Sequence, residues 1–300
     1  MARLLRDRAG TAVTSAGRPS STAPELSALA HERLAYRRSR ARRSTLVALL
    51  STVVFATVAW LAVTSSPGWP RVQDTFFDLD VAVSSFPAVL DGLWLNVRVL
   101  VVAEIAILVV GLLVAALRTL RGPVYFPVRA LAIGYVDLFR GLPLIIALYL
   151  IGFGLPGLRL QGIPTDPVVL GTIAMVLVYS AYVAEVFRAG IESVHPSQRA
   201  AARSLGLRHG QAMRLVVLPQ AVRRVLPPLL NDFVALQKDC GLISVLGAVD
   251  AVRAAQIASA RYFNFTPYVV AGLLFILLAI PTARVADAVA ARAARRQGDA

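Results

Sequence analysis

Apolar runs of about 20 residues recur along this 300-residue chain, and that is the length a helix needs to cross roughly 30 Å of hydrocarbon. A backbone inside a bilayer finds no water, so each such run must satisfy its own N–H and C=O groups as a helix. The runs fall at 44–64, 92–117, 131–155, 168–188, 225–246 and 267–286. A soluble domain carries about 25% charged residues, whereas this chain has 16% charged and 57% hydrophobic residues. One soluble core is excluded. The expected fold is all-α and integral to the membrane, with six transmembrane helices.

Charge sets the topology. The net charge is +14, and Lys238 is the only lysine. The arginines collect in alternate loops: before 44, at Arg118, Arg121 and Arg129, at Arg199 to Arg224, and after 286. The intervening loops hold few basic residues: 65–91 has Asp74, Asp78, Asp80 and Asp91 against Arg71, and 156–167 has only Arg159. By the positive-inside rule both termini are cytoplasmic. The same rule explains the basicity without a nucleic-acid partner, which would need the charge on one face. Cys240 has no second cysteine to bridge with, and His31, His195 and His209 are scattered, so no metal site is expected.

The resulting organisation is a basic cytoplasmic tail at 1–43, which has little to bury and is expected to be unstructured or to lie on the lipid surface, and a transmembrane anchor at 44–64. An extracytoplasmic loop follows at 65–91, then a five-span core at 92–288 and a cytoplasmic tail at 289–300.

The basic segment about 196–218 lies between the fourth and fifth spans. Pro196 marks a helix start, Ala200, Ala201 and Ala202 are strong helix formers, and Leu205 is expected on the face of Ala201 and Ala202. Gly206 occupies the place of a left-handed cap, with Arg203 and Leu207 flanking the corner. A second short helix is expected from His209 to Leu218, ending at Pro219. Two readings remain open: a docking knob for a soluble partner, or an amphipathic helix lying on lipid.

The fifth span is unusually polar. Asn231, Asp232, Gln237, Lys238 and Asp239 all lie in it, and Glu104 is mid-span in the second. Ionisable groups cost about 2.5–3.5 kcal/mol at the bilayer centre, so they face protein or water; two readings stay open for Lys238 and Asp239, a substrate pathway or pairing with neighbouring helices at the outer interface. Asn231 and Lys238, seven apart, share a helix face, and Glu104 is a candidate partner for Lys238. Nearer the cytoplasmic side, Asp137 with Arg140 and Glu185 with Arg188 repeat an i,i+3 spacing that permits ion pairs. Gly141 and Pro143 break the third span, where a hinge or pathway wall is expected.

Several blocks, taken in order, resemble the permease subunits of ATP-binding-cassette importers. Ala201, Ala202, Gly206, Leu218 and Pro219 match the family's cytoplasmic coupling loop, with Ala200 standing where the family pattern has glutamate. The blocks 91–96, 135–143, 181–191 and 226–239 are similar to those of the polar amino acid subfamily, the histidine-, glutamine- and arginine-type permeases. The subfamily continues the last block with Thr-Ser-Leu; here Cys240, Gly241 and Leu242 stand instead.

This resemblance implies a multi-pass subunit of the bacterial plasma membrane that carries polar amino acids. Its implied partners are a P-loop ATPase that binds ATP and Mg, a second permease subunit (identical or related), an extracytoplasmic solute-binding protein and the lipid bilayer. The chain has no Gly-x-x-x-x-Gly-Lys-(Ser/Thr), so it is not expected to be an enzyme or to hold a cofactor. The alternative class is a secondary transporter or channel driven by an ion gradient, in which Glu104, Asp232, Lys238 and Asp239 would form the relay.

Overall fold

A computed structural model describes the backbone of residues 28–120 and 122–298, and the side chains of 43–120, 122–208 and 210–293. Residues 1–27 of the tail, and the side chains of His31 and His209, lie outside that set. All regular elements among the described residues are helical. Four helices are long and apolar enough to cross a membrane, and the number rises to six if two bent pairs each count as one span. The chain divides into two compact units, residues 1–69 and 70–300.

The first unit contains α1 (Ala28–Thr64). Composition assigns 28–43 to an unstructured tail, but α1 begins at Ala28. The segment is rich in Ala, Leu and Arg, which are good helix formers. Joined to a helix that already exists, it needs no new nucleus. Within the span, Ser51, Thr52 and Thr64 donate to carbonyls three or four residues back at 2.7–2.9 Å, which hides their hydroxyls from an apolar surround.

From its second residue, α2 (Trp69–Phe76) belongs to the second unit, and it leads into α3 (Leu79–Arg118). The expected loop 65–91 is therefore mostly helix. Asp78 sets the start of α3: its Oδ1 accepts from the Asp80 and Val81 amides at 3.0 and 3.1 Å, an N-cap that outranks the apolar run beginning at 92. With 40 residues, α3 is about 60 Å long at 1.5 Å per residue, roughly twice the hydrocarbon thickness.

The next span is broken. α4 (Phe126–Gly141) and α5 (Leu144–Tyr149) belong to a helix pair bent by 108°. Pro143 forces the residue before it out of the helical region, and Leu142 is accordingly extended at φ −93°, ψ 123°. A π turn (Leu150–Gly154) and a short α6 (Leu155–Gly157) follow, then α7 (Pro167–Glu192).

After α8 (Pro196–Ser204) comes α9 (His209–Ala212), a π turn (Met213–Val217) and α10 (Leu218–Asp239). The expected stop at Pro219 does not occur. A proline ring collides with the carbonyl four residues back, and the wide turn, in which the Leu218 amide reaches Met213 O, relieves that collision. The same arrangement precedes Pro156, where a π turn again ends directly before a Leu-Pro step. A 3-10 turn (Cys240–Leu246), α11 (Ala251–Tyr262) and α12 (Thr266–Gly298) complete the chain. The expected C-terminal tail is therefore a continuation of α12 as far as Gly298.

The core lies where α3, α7 and α10 meet, around Leu100, Ile107, Met175, Val183, Leu236 and Ile243. Gly111 lets α3 and α7 approach closely, since a Cβ there would lie 2.7 Å from Val183 Cγ1.

Candidate functional site

Three polar clusters stand out along the second unit. The first joins α3 to α11. Asn96 and Asp250 are both buried, at 2% and 0% exposure. Asn96 Nδ2 donates to Asp250 Oδ2 and to Cys240 O, both at 3.0 Å, while its Oδ1 accepts from the Ala251 amide at 3.1 Å. Asp250 Oδ1 accepts from the Arg253 amide at 2.8 Å and so caps α11. Sequence reasoning places Asn96 only inside a family block and gives Asp250 no role. The Asp before an alanine-rich helix is an N-cap signal, but its long-range partner leaves no local trace.

The second cluster lies at the meeting of α3, α7 and α10. Tyr179 donates to Asp239 Oδ2 at 2.7 Å and sits in the field of Asp232 as well. Glu104 interacts electrostatically with Asp232 across the α3–α10 contact. All three carboxylates are half-buried. Asn231 and Lys238 are both exposed on the adjoining face of α10, as their spacing of seven requires. Of the two roles open to Glu104, pairing with Lys238 or lining the pathway, the pair does not form: among the described residues Lys238 makes no ion pair. Gln237 is 2% exposed, and both its amide atoms lack a hydrogen-bond partner. The six pathway candidates thus divide over three faces rather than lining one. Tyr179 was missed, because a lone tyrosine in an apolar run carries no signal of its polar contact.

The third cluster is at the arginine-rich end. Glu185 and Arg188 pair as their spacing predicts, and two further groups join them. Arg118, from the last turn of α3, donates to Glu185 at 2.7 Å, and Glu192 accepts from Arg188. The identical spacing of Asp137 and Arg140 yields no ion pair. Arg140 instead lies 5.8 Å over the Tyr182 ring, and its carbonyl accepts from the Tyr182 hydroxyl at 3.2 Å. Spacing permits a pair, but the neighbouring helix decides it: α7 offers Arg140 an aromatic face. Glu185→Gln is expected to cost about 1 kcal/mol, lowering the thermal midpoint by roughly 2–4 °C. Asp137→Asn should leave it unchanged; differential scanning fluorimetry in detergent reads both.

Beyond this cluster, the chain forms a compact knob. His195 Nδ1 caps α8 by accepting from the Ser197 amide at 3.2 Å. At the other end Gly206 takes φ +80°, with its amide on Arg203 O at 2.9 Å and the Leu207 amide on Ala202 O at 3.2 Å. These two bonds define a Schellman turn, so the left-handed cap expected at Gly206 is present. Ala202 is 3% exposed and faces inward, which removes it from the outward surface expected of it. Leu205 is 82% exposed, and of the two alanines expected on its face only Ala201 is exposed with it. Ala200 and Arg203 are also exposed.

The knob is fastened to the bundle. Val194, Val217 and Ala221 form a small apolar core beneath it. Arg199 Nη2 donates to Ile191 O at 2.6 Å, and Arg224 donates to Ser193 O. Both arginines satisfy carbonyls at the end of α7, where the helix dipole is negative. Their basic character is legible in sequence; this fastening role is not.

Comparison with known proteins agrees with this architecture. Residues 107–295 match the model of the binding-protein-dependent transport system inner membrane component family. The chain is 31% identical over 204 residues to the arginine transport system permease protein ArtQ of Bacillus subtilis, covering 68% of this chain and 91% of that one. It is 34% identical over 207 residues to the probable glutamine ABC transporter permease protein GlnM of the same organism, covering 68% and 92%. A crystal structure of an amino acid ABC transporter with histidines superposes at a TM-score of 0.66 with 32% identity, covering 72% of this chain and 98% of that one. The helix α1 lies outside the family match. The helical bundle with its fastened knob, the matched length and the identity lead to one assignment: the chain belongs to the family of binding-protein-dependent transport system inner membrane components.

Proposed function

We propose that this chain is the membrane-spanning permease subunit of an ATP-driven importer for polar amino acids in a bacterial plasma membrane. The knob is the single observation that carries the reading. A nine-residue helix is capped at both ends, fastened by Arg199 and Arg224, and made to present Leu205 almost fully to solvent. A large apolar side chain held rigidly outward is an anchor for a partner's pocket. The occupant is a P-loop ATPase, which binds ATP and Mg and supplies the driving free energy. Exposed Ala200, Ala201, Arg203, Gly206 and half-buried Leu207 complete the docking surface. A second permease subunit and an extracytoplasmic solute-binding protein complete the assembly.

Within the membrane, Glu104, Asp232 and Asp239 are the pathway groups, with Asn231 and Lys238 on the adjoining face and Gln237 held behind them. Two rigid states of the bundle, one open to each side, are biased by a ligand that binds outside this chain. The bend at Gly141 and Pro143 and the Glu185–Arg188–Arg118 cluster transmit that bias between knob and spans.

Affinity purification in mild detergent, with mass spectrometry of what accompanies the chain, tests the docking. The wild type should bring down an ATPase subunit, and Leu205→Asp should lose it by about tenfold or more, as for an interface anchor. An exposed site changes stability by less than about 0.5 kcal/mol, so the amount of folded chain should not fall. Full ATPase recovery with Leu205→Asp would refute the docking assignment. Asp232→Asn should instead reduce uptake in proteoliposomes by at least about tenfold while leaving ATPase recovery intact; unchanged uptake would remove Asp232 from the pathway.

A further inference from the structure

A cleft of about 780 Å³ opens beside the knob; among its lining residues are Arg118, Arg188 and Arg199, already met in the ion-pair cluster and the knob's fastening, and Tyr125, Arg129 and Glu192. Arg118 and Glu192 are the last residues of two candidate spans, and the cleft they line is at the arginine-rich end, the side that the positive-inside rule sets against the anionic headgroups of the cytoplasmic leaflet.

The charges in and behind this cleft are unequally committed. Both nearby carboxylates are already held, Glu185 by Arg118 and Arg188, and Glu192 by Arg188. The donors are not all used. Arg129 makes one long bond, Nη1 to Leu120 O at 3.4 Å, and otherwise lies against the Phe126 ring. Arg199 gives Nη2 to Ile191 O, but its Nε is buried without a partner. Tyr125 is 48% exposed at the same mouth. Four arginines against two glutamates leave the cleft positive. Its spare hydrogen-bonding capacity is in donors, and a buried donor without an acceptor is unfavourable. Guanidinium groups match the oxygens of a phosphate in geometry as well as charge.

We propose that this cleft binds a phosphate-bearing anion, and that the headgroup of an anionic phospholipid in the adjoining leaflet supplies it. The level of the cleft favours that source over a free phosphate. The volume, within the range of small-molecule pockets, admits a phosphodiester with part of its glycerol. Because the lining comes from the ends of α3, α4 and α7 and from the first turn of α8, a bound phosphate ties the bundle to the knob. The inference needs only that the chain is embedded in a membrane, so it stands or falls independently of the docking assignment.

Native mass spectrometry of the full-length protein, purified with whatever subunits accompany it, tests the proposal with phosphatidylglycerol and phosphatidylcholine supplied in equal amounts. The wild type should retain phosphatidylglycerol over phosphatidylcholine by about tenfold or more, as expected for two or more arginine–phosphate contacts. Arg129→Gln should reduce that retention roughly fivefold, the weight of one such contact, with no change in thermal midpoint. Arg159→Gln, in a loop outside the cleft, is the control and should leave retention unchanged. Equal retention of the two lipids, or Arg129→Gln behaving as wild type, overturns the site. Excess inorganic phosphate separates the sources. Persistence of bound phosphatidylglycerol supports the lipid assignment. Its complete displacement by phosphate, with phosphate adducts lost in Arg129→Gln, overturns that source in favour of a free anion.

Discussion

Asn96→Ala is expected to lower the thermal midpoint of the detergent-solubilised protein by roughly 5–10 °C. Asn96 uses both ends of its amide in a site 2% exposed, so truncation strands Asp250 Oδ2, Cys240 O and the Ala251 amide together. A buried group left without its partner costs about 1–3 kcal/mol, and 1 kcal/mol moves the midpoint by about 2–4 °C in a domain of this size. Water has no access to make up the loss. The damage is also structural, because the Ala251 amide is one of the first-turn donors of α11 that need an outside acceptor. Ser84→Ala is the matched control. Its hydroxyl is exposed and bonds only to Asp80 O within its own helix, at 2.7 Å, so the midpoint should barely move. If Asn96→Ala shifts the midpoint no more than Ser84→Ala does, the polar link between α3 and α11 contributes nothing to stability.

The second large effect is expected one turn earlier on α3. A Cβ at Gly92 would lie 2.4 Å from the Asp250 carbonyl carbon and 2.5 Å from the Ala251 nitrogen. These are backbone atoms, so no rotamer change makes room, and α3 would have to move off the start of α11. Overpacking of this kind costs about 1–3 kcal/mol or more, and here it would also break the Asn96–Asp250 link. Gly92→Ala should therefore yield little folded protein, measured as the monodisperse fraction in size-exclusion chromatography, and no single side-chain truncation should restore it.

Gly190 provides the contrast. A Cβ there meets Val225 Cγ1 at 2.1 Å, a closer approach but to a side chain. Gly190→Ala should be milder, and Val225→Ala should rescue it. If Gly92→Ala folds as well as Gly190→Ala, the backbone contact at Gly92 is not rigid.

Both results bear on what a sequence can reveal. The spans are legible because lipid leaves a backbone no alternative to helix, so run length and apolarity suffice. The knob is legible because proline, alanine and glycine at those spacings encode its start, body and corner locally. The Glu185–Arg188 pair follows from spacing, yet Asp137–Arg140 with the same spacing fails, because Tyr182 on another helix competes for the arginine. Helix ends were less legible. The starts of α1 and α3 follow from helix propensity and from the Asp78 cap, which hydropathy does not weigh. Pro219 reads as a stop until the π turn before it gives the ring room.

The local code of this chain therefore settles which segments must lie in lipid as helix and which loops carry positive charge, since each depends on residues within a turn or two of one another. Folding alone settles the rest. The Asn96–Asp250 link spans 154 positions, the Tyr179–Asp239 bond spans 60, and Arg118 reaches Glu185 across 67. Buried polar groups take whichever partner the packing brings near, and glycines at helix crossings determine how near that is.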